Sequence, residues 1–99
     1  MAVKVLIKRK FKKADVIEIS KAIREARLGA MEQEGYISSE TMWDHDHPNK
    51  VVVASMWQTL ENWNNWINSP QRKAIEEKYK GSLDGPTEYE LFVLGIYPH

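Results

Sequence analysis

The sequence predicts a single ferredoxin-like α+β domain over residues 1–99, with a four-stranded antiparallel sheet and helices on one of its faces. Length supports this class, because 99 residues suffice for one domain and no more. Composition also supports it, since 42% hydrophobic residues, including 10% aromatic ones, are typical of a folded globule. Hydrophobic periods of two residues and of three to four residues follow one another as β-α-β-β-α-β. That order is the split βαβ arrangement.

The composition excludes several classes of function. Lys and Arg together number 14, as do Asp and Glu, and this zero net charge argues against a dedicated binder of nucleic acid or anionic membranes. The chain has no cysteine, which excludes disulfides, thiolate catalysis and Cys-based metal sites. No apolar run approaches the ~20 residues of a membrane span, and Met1–Ile7 leads directly into basic residues unlike a signal peptide. We therefore expect a soluble cytoplasmic protein.

The first strand is predicted over Ala2–Lys13, where apolar side chains alternate with mainly basic ones. Its end, residues 8–13, holds five cations, which we expect to be solvated or salt-bridged. Asp15 opens the first helix, with Glu18 as the second half of a capping box. The buried stripe of this helix is predicted at Val16, Ile19, Ile23, Ala26 and Ala30. Gly35 is placed to end the helix as a left-handed cap.

The middle of the chain predicts an antiparallel hairpin followed by a short helix. Two extended runs, Tyr36–Asp44 and Lys50–Gln58, flank a cluster of turn-forming residues at 46–49. Thr59 can cap a short helix that continues through Asn68.

The last third of the chain predicts a helix and a strand. Ser69 followed by Pro70 is a helix start, because proline in the first turn loses no hydrogen bond. This helix is predicted to run to Lys80 and to stop at Gly81. The final strand, Thr87–Tyr97, is apolar on both sides, so we expect both faces of the sheet to be covered there.

The predicted sheet leaves one face without helices. That face carries Leu6, side chains of the second strand and half of those of the last strand. Two such sheets packed against each other would bury this surface. We therefore expect a homodimer.

The segment from Trp57 to Asn68 is the most informative part of the chain, since it holds three Trp and four Asn in twelve residues. Trp63 and Trp66 share a helix face, and Asn62 lies one turn before Trp66. An indole flanked by carboxamides can hold a flat aromatic ligand through stacking and hydrogen bonds. The alternative is that Trp57 and Trp63 belong to the core and that the Asn side chains are exposed helix positions.

The same segment resembles the antibiotic-biosynthesis monooxygenase family. In that family a strand ends in Trp, followed by a Ser/Thr-x-Glu motif, a His or Trp, and a Ser-Pro or Thr-Pro helix start. The matching residues here are Trp57, Thr59, Glu61, Trp66, Ser69 and Pro70. Residues 34–37 also resemble the start of the family's second strand, so the resemblance covers nearly the whole chain.

The resemblance implies a dimeric α/β barrel, built from two packed sheets, and oxygen chemistry without a cofactor. The implied substrate is a small aromatic, quinol or polyketide-like molecule that loses a proton and reacts with O2. Trp66 would stack on it and donate its indole N–H. We place Asn62 and Asn65 as further catalytic residues that orient or polarise the phenolate oxygen. Further substrate contacts are predicted at Tyr36, Trp63 and Arg72.

A haem-degrading branch of the same family is a weaker match. That branch uses an Asn on the first strand, a Trp on the helix after the third strand and a later His ligand. Trp66 fits the Trp, but Ala2–Lys13 contains no Asn, and Glu76 stands near the expected place of the His. We therefore expect neither haem nor another cofactor.

Two other groups of residues and one other class of function have to be considered. His45 and His47 are flanked by Asp44 and Asp46, yet a metal site needs more converging ligands, so we expect a solvated hairpin tip and no metal. Glu76 and its neighbour in sequence point about 100° apart on a helix, which makes a poor acid–base pair. The same fold could also serve a non-catalytic dimeric ligand-binding or structural protein.

Overall fold

The computed structural model describes residues 1–96 and confirms the predicted α+β fold. The elements, in chain order, are β1 (Val3–Lys10), α1 (Val16–Met31), β2 (Tyr36–Trp43), β3 (Lys50–Trp57), α2 (Leu60–Ile67), α3 (Pro70–Tyr79), a 3-10 turn (Lys80–Ser82) and β4 (Glu88–Val93). Tyr97, the predicted end of the last strand, lies outside the described residues. Among residues 1–96, no helix combines the length and the apolar character that crossing a membrane requires.

One antiparallel sheet has the strand order β2-β3-β1-β4. Its centre is β1, where Val5 pairs with Ser55 of β3 on one side and with Leu91 of β4 on the other. Alternate residues of β1 and β3 face the helices and form the core with them. The largest fully buried side chain of this core is Trp57, which contacts the ring of Tyr36 edge-on at 5.6 Å between centroids. One face of the sheet is therefore buried beneath the helices.

The helices begin where the capping residues predict. The side-chain oxygen of each cap accepts a hydrogen bond from the backbone N–H three residues on, at 3.2 Å for Asp15, 3.0 Å for Thr59 and 3.1 Å for Ser69. The predicted capping box at α1 is only half formed. The carboxylate of Glu18 accepts instead from the hydroxyl of Ser82, which ties α1 to the turn after α3.

The end of α1 differs from the prediction. The helix ends at Met31, and its C-cap residue is Glu32, which keeps right-handed backbone angles. Gly35 does have a left-handed conformation, with φ +84°, but in the turn that leads into β2. A Cβ at this position would lie 2.2 Å from Cγ of Asn62, so the glycine is required both by the backbone angle and by the approach of α2.

The last strand also differs from the prediction. β4 is an edge strand, and its side chains are exposed on both faces, including Leu91 and Phe92, each at 48%. β4 lies beyond β1 at the edge of the sheet, where α2 and α3 reach Tyr89 but leave most of the strand's side-chain surface exposed. Phe92 on β4 and Met42 on β2 are both exposed apolar side chains on the open face. A single chain therefore leaves this surface in contact with water.

Candidate active site between the sheet and the helices

A cavity of about 30 Å³ lies between the sheet and the helices. It has room for one or two water molecules or for a single polar group of that size. The structure brings three predicted site residues together here, since Trp66, Tyr36 and Arg72 all line it. The other polar side chains around the cavity are Arg9, Arg27, Ser39 and Ser55, and aliphatic groups complete the wall.

Trp66 is 2% exposed and lies between α2 and the sheet. The tip of its indole rests on α1 at Gly29, where a Cβ would approach ring atom Cη2 to 2.7 Å. A bulkier residue at position 29 would displace the ring, so the absence of a side chain there fixes where the indole sits. One part of the ring packs against α1 and another part borders the cavity.

A hydrogen-bonded chain of side chains joins Tyr36 to α1. The hydroxyl groups of Tyr36 and Ser39 are 2.8 Å apart, and Nε of Arg27 donates to Ser39 Oγ at 3.0 Å. The same guanidinium also donates to the hydroxyl of Thr41. The sequence reasoning missed Arg27, although a signal was present. Arg27 falls between Ile23 and Ala30 on the buried stripe, where a basic side chain is out of pattern.

A second polar cluster lies under α3, where Arg72 is only 1% exposed. The carboxylate of Glu76 pairs with Arg72 and also accepts from Nη2 of Arg9 at 3.1 Å. A second nitrogen of Arg72 donates to the hydroxyl of Tyr89 at 3.3 Å. Arg9 was visible in the sequence, because it continues the buried alternation of β1 in place of an apolar residue.

The pKa values in this cluster follow from burial and from the shared ion pairs. Burial raises the pKa of Glu76, but the charges of Arg72 and Arg9 outweigh this effect and leave the pKa below its usual value. Burial lowers the pKa of Arg9, the charge of Arg72 lowers it further, and Glu76 opposes both. Glu76 is therefore a carboxylate at neutral pH, placed to compensate the charges of Arg9 and Arg72.

The structure does not bring the other predicted residues to the cavity. Asn62 contacts the Gly35 turn, and its side-chain oxygen accepts from the hydroxyl of Thr59 at 2.7 Å. Asn65 is exposed on the outer side of α2. Trp63 is 3% exposed and packs between two other rings, with centroids 6.0 Å from Trp57 and 5.9 Å from Tyr89.

The hairpin tip holds its acidic and histidine side chains in local contacts. Asp44 accepts backbone N–H bonds from Asp46 at 3.0 Å and from His47 at 2.9 Å. These bonds, chiefly the one from His47, lower the pKa of the Asp44 carboxyl. Within the described part of the chain, no three His, Asp or Glu side chains are grouped to hold a metal ion.

A larger open groove lies on the other side of Arg72. It has a volume of about 680 Å³ and runs between α3 and the segment that leads into β4. Tyr89 and Thr87 form part of its wall, and the Thr87 hydroxyl is buried without a hydrogen-bond partner among residues 1–96. Arg72 lines both spaces, so its side chain lies between the small cavity and the groove.

Comparison with known proteins identifies a family. The family model described as antibiotic biosynthesis monooxygenase matches residues 2–78. No curated protein sequence matches the chain.

Solved structures with low sequence identity share the fold. SnoaB from Streptomyces nogalater, described as a cofactor-independent oxygenase, is 14% identical with a TM-score of 0.84, over 97% of this chain and 95% of that one. A conserved protein from Methanosarcina mazei Go1 is 21% identical with a TM-score of 0.82, over 93% of this chain and 91% of that one. Rv0793 from Mycobacterium tuberculosis is 11% identical with a TM-score of 0.81, over the full length of both chains.

Proposed function

Because this chain belongs to the antibiotic biosynthesis monooxygenase family, we propose that it is a cofactor-independent monooxygenase acting with O2 on a small aromatic, quinol or polyketide-like substrate. The observation that carries the proposal is the cavity at which Trp66, Tyr36 and Arg72 meet. The similarity in fold to SnoaB, described as a cofactor-independent oxygenase, supports the absence of a cofactor.

The proposed reaction needs only the substrate, O2 and a proton acceptor. An activated CH2 group of the substrate loses a proton to a water molecule, which leaves one anion whose charge is shared between that carbon and the conjugated ring oxygen. The carbanion transfers electrons to O2, and a carbon–oxygen bond forms to give a hydroperoxide. Cleavage of the oxygen–oxygen bond, with loss of water, leaves a carbonyl group. One oxygen atom enters the product and the other leaves as water, so no external reductant is consumed.

The protein would contribute position and charge to this reaction. The indole of Trp66 would stack on the substrate ring, and its N–H would donate to the developing oxyanion. The hydroxyl of Tyr36 and the guanidinium groups of Arg27 and Arg72 border the same space and add further donors. Asn62 has no contact with the cavity, so we propose that it positions the Gly35 turn beside α2.

A substrate ring needs more room than the cavity provides. Small-molecule sites usually enclose about 300–1,000 Å³, and the cavity beside Trp66 has about 30 Å³. The groove beyond Arg72 has about 680 Å³. We propose that movement of the Arg72 side chain joins the two spaces when the substrate binds.

Oxygen consumption tests the proposed activity. The purified chain, treated with a metal chelator, is mixed with a panel of hydroquinones and anthrones in an oxygen electrode. For the anthrones, which carry the activated CH2 group, we expect uptake of one O2 per substrate and, with labelled O2, one labelled atom in the carbonyl product. Uptake no faster than in buffer across the whole panel would contradict the monooxygenase proposal.

The small volume of the cavity favours a second candidate. With Trp66 only 2% exposed, the same domain could be a non-catalytic dimeric protein that binds a ligand or serves a structural role. This candidate predicts no oxygen uptake. A ligand-binding protein should bind an aromatic ligand tightly, and a structural protein should bind none. The oxygen electrode and a binding isotherm on the same compounds separate the two.

We propose that the chain is a homodimer that buries the open face of the sheet. Phe92 is 48% exposed and pairs across from Lys4 on that face, so Phe92→Glu would place a carboxylate inside the interface. Sedimentation should give twice the 11.5 kDa chain mass for the native protein and a monomer for the variant. Ile17→Glu, at an 83% exposed position on α1, is the matched control and should leave the dimer intact. A native monomer at micromolar concentration would be the opposite result.

A further inference from the structure

The charges around the cavity beside Trp66 do not cancel. Three guanidinium groups border it, those of Arg9, Arg27 and Arg72. A single carboxylate, that of Glu76, serves both Arg9 and Arg72. Arg27 is bonded only to hydroxyl groups, and in residues 1–96 it has no acidic partner. The net excess around the cavity is therefore two positive charges.

Such an excess is costly unless an anion compensates it. Charges inside a protein interact more strongly than in water, because the surroundings screen them less. Arg27 is partly buried, and its neighbours Ser39 and Thr41 are neutral acceptors that leave its charge unbalanced. A guest anion placed there would gain charge-assisted hydrogen bonds that a neutral guest cannot make.

We propose that the substrate is a planar aromatic acid, and that its carboxylate binds in the cavity against Arg27 while its ring contacts Trp66. This inference rests on the proposed function only in taking the cavity as the substrate site. The volume of about 30 Å³ suits the carboxylate group rather than the ring. The hydroxyl of Tyr36, which is 2.8 Å from Ser39 Oγ, is placed to donate to the second carboxylate oxygen.

Calorimetric binding of two isosteric probes tests the proposal. The probes are 2-hydroxybenzoate and its neutral analogue 2-hydroxybenzamide, each titrated at neutral pH and low salt. The native protein should bind the acid at least about tenfold more tightly than the amide, as expected when one charged hydrogen bond is gained. Arg27→Gln should remove most of that preference, because the affinity for the acid falls more than the affinity for the amide. Arg24→Gln, at an exposed position on the same helix, is the matched control and should keep the preference.

Two further measurements keep the result decisive. Arg27→Lys retains the charge and should keep part of the preference, which separates loss of charge from loss of fold if Arg27→Gln melts early. The ratio of acid to amide affinity in the native protein needs no variant at all. Equal affinity for both probes, no binding of either, or an unchanged preference in Arg27→Gln would overturn the proposal. Oxygen uptake on neutral anthrones without any preference for acids would leave the monooxygenase standing and remove only this inference. A preference for acids without oxygen uptake would support this inference and contradict the monooxygenase proposal.

Discussion

Replacing Glu76 by Gln is expected to lower the free energy of unfolding by about 3–5 kcal/mol, because the change leaves two buried cations without their shared counter-ion. The side chains of Arg72 and Arg9 are only 1% and 9% exposed, so water compensates poorly for the lost carboxylate. A domain has a total stability of about 5–15 kcal/mol, so this loss would remove a large part of it.

Urea denaturation at neutral pH measures this loss, with Glu77→Gln as the matched control. Glu77 is the next residue of α3 and is exposed, so its replacement should change stability by less than about 0.5 kcal/mol. The pH dependence gives an independent check. The pKa of Glu76 is lowered in the folded state, so its contribution is present above the ordinary glutamate pKa and is lost as pH falls through the folded value. Equal stabilities for the two variants would show that the pair contributes nothing.

Replacing Trp66 by Phe is expected to reduce oxygen uptake about 100-fold, the typical cost of losing one donor to a developing oxyanion. Phenylalanine keeps an aromatic ring in this part of the core, so the fold should survive, whereas an Ala variant would leave a larger void. Trp43→Phe is the control, since that ring is 38% exposed on β2. The measurement is the initial rate of oxygen consumption on the best substrate of the panel. The melting temperature of each variant shows whether the fold is retained. Equal rates for Trp66→Phe and the native protein would remove the role assigned to the indole.

Much of the fold was predictable because local signals agree with one another. Asp15, Thr59 and Ser69 each precede a helix and form the hydrogen bond that defines a cap. The strand bounds were less secure, because strand ends depend on partners elsewhere in the chain. The end of β1 at Lys10 is set by pairing with Lys50, whereas the basic run of the sequence continues to Lys13.

The site was only partly predictable, because it forms from side chains that are distant in sequence. Trp66 could be placed from a local motif, and Arg72 from its position on the following helix. The link between Arg27 and Ser39 depends on how α1 crosses β2, which no local pattern specifies. Asn65 was predicted from its neighbours in sequence, and the helix places it on its exposed side, because the buried face of α2 holds Trp63 and Trp66.

The absence of a side chain at Gly29 couples the position of the Trp66 ring to that of α1. The indole tip of Trp66 lies against α1 at that point, two residues from Arg27, so the aromatic end and the charged end of the cavity meet on the same turn of α1. A guest that pushes the ring aside must also push the turn of α1 that carries the guanidinium. Movement of the indole would therefore also shift the guanidinium of Arg27. A larger residue at position 29 would push α1 and α2 apart.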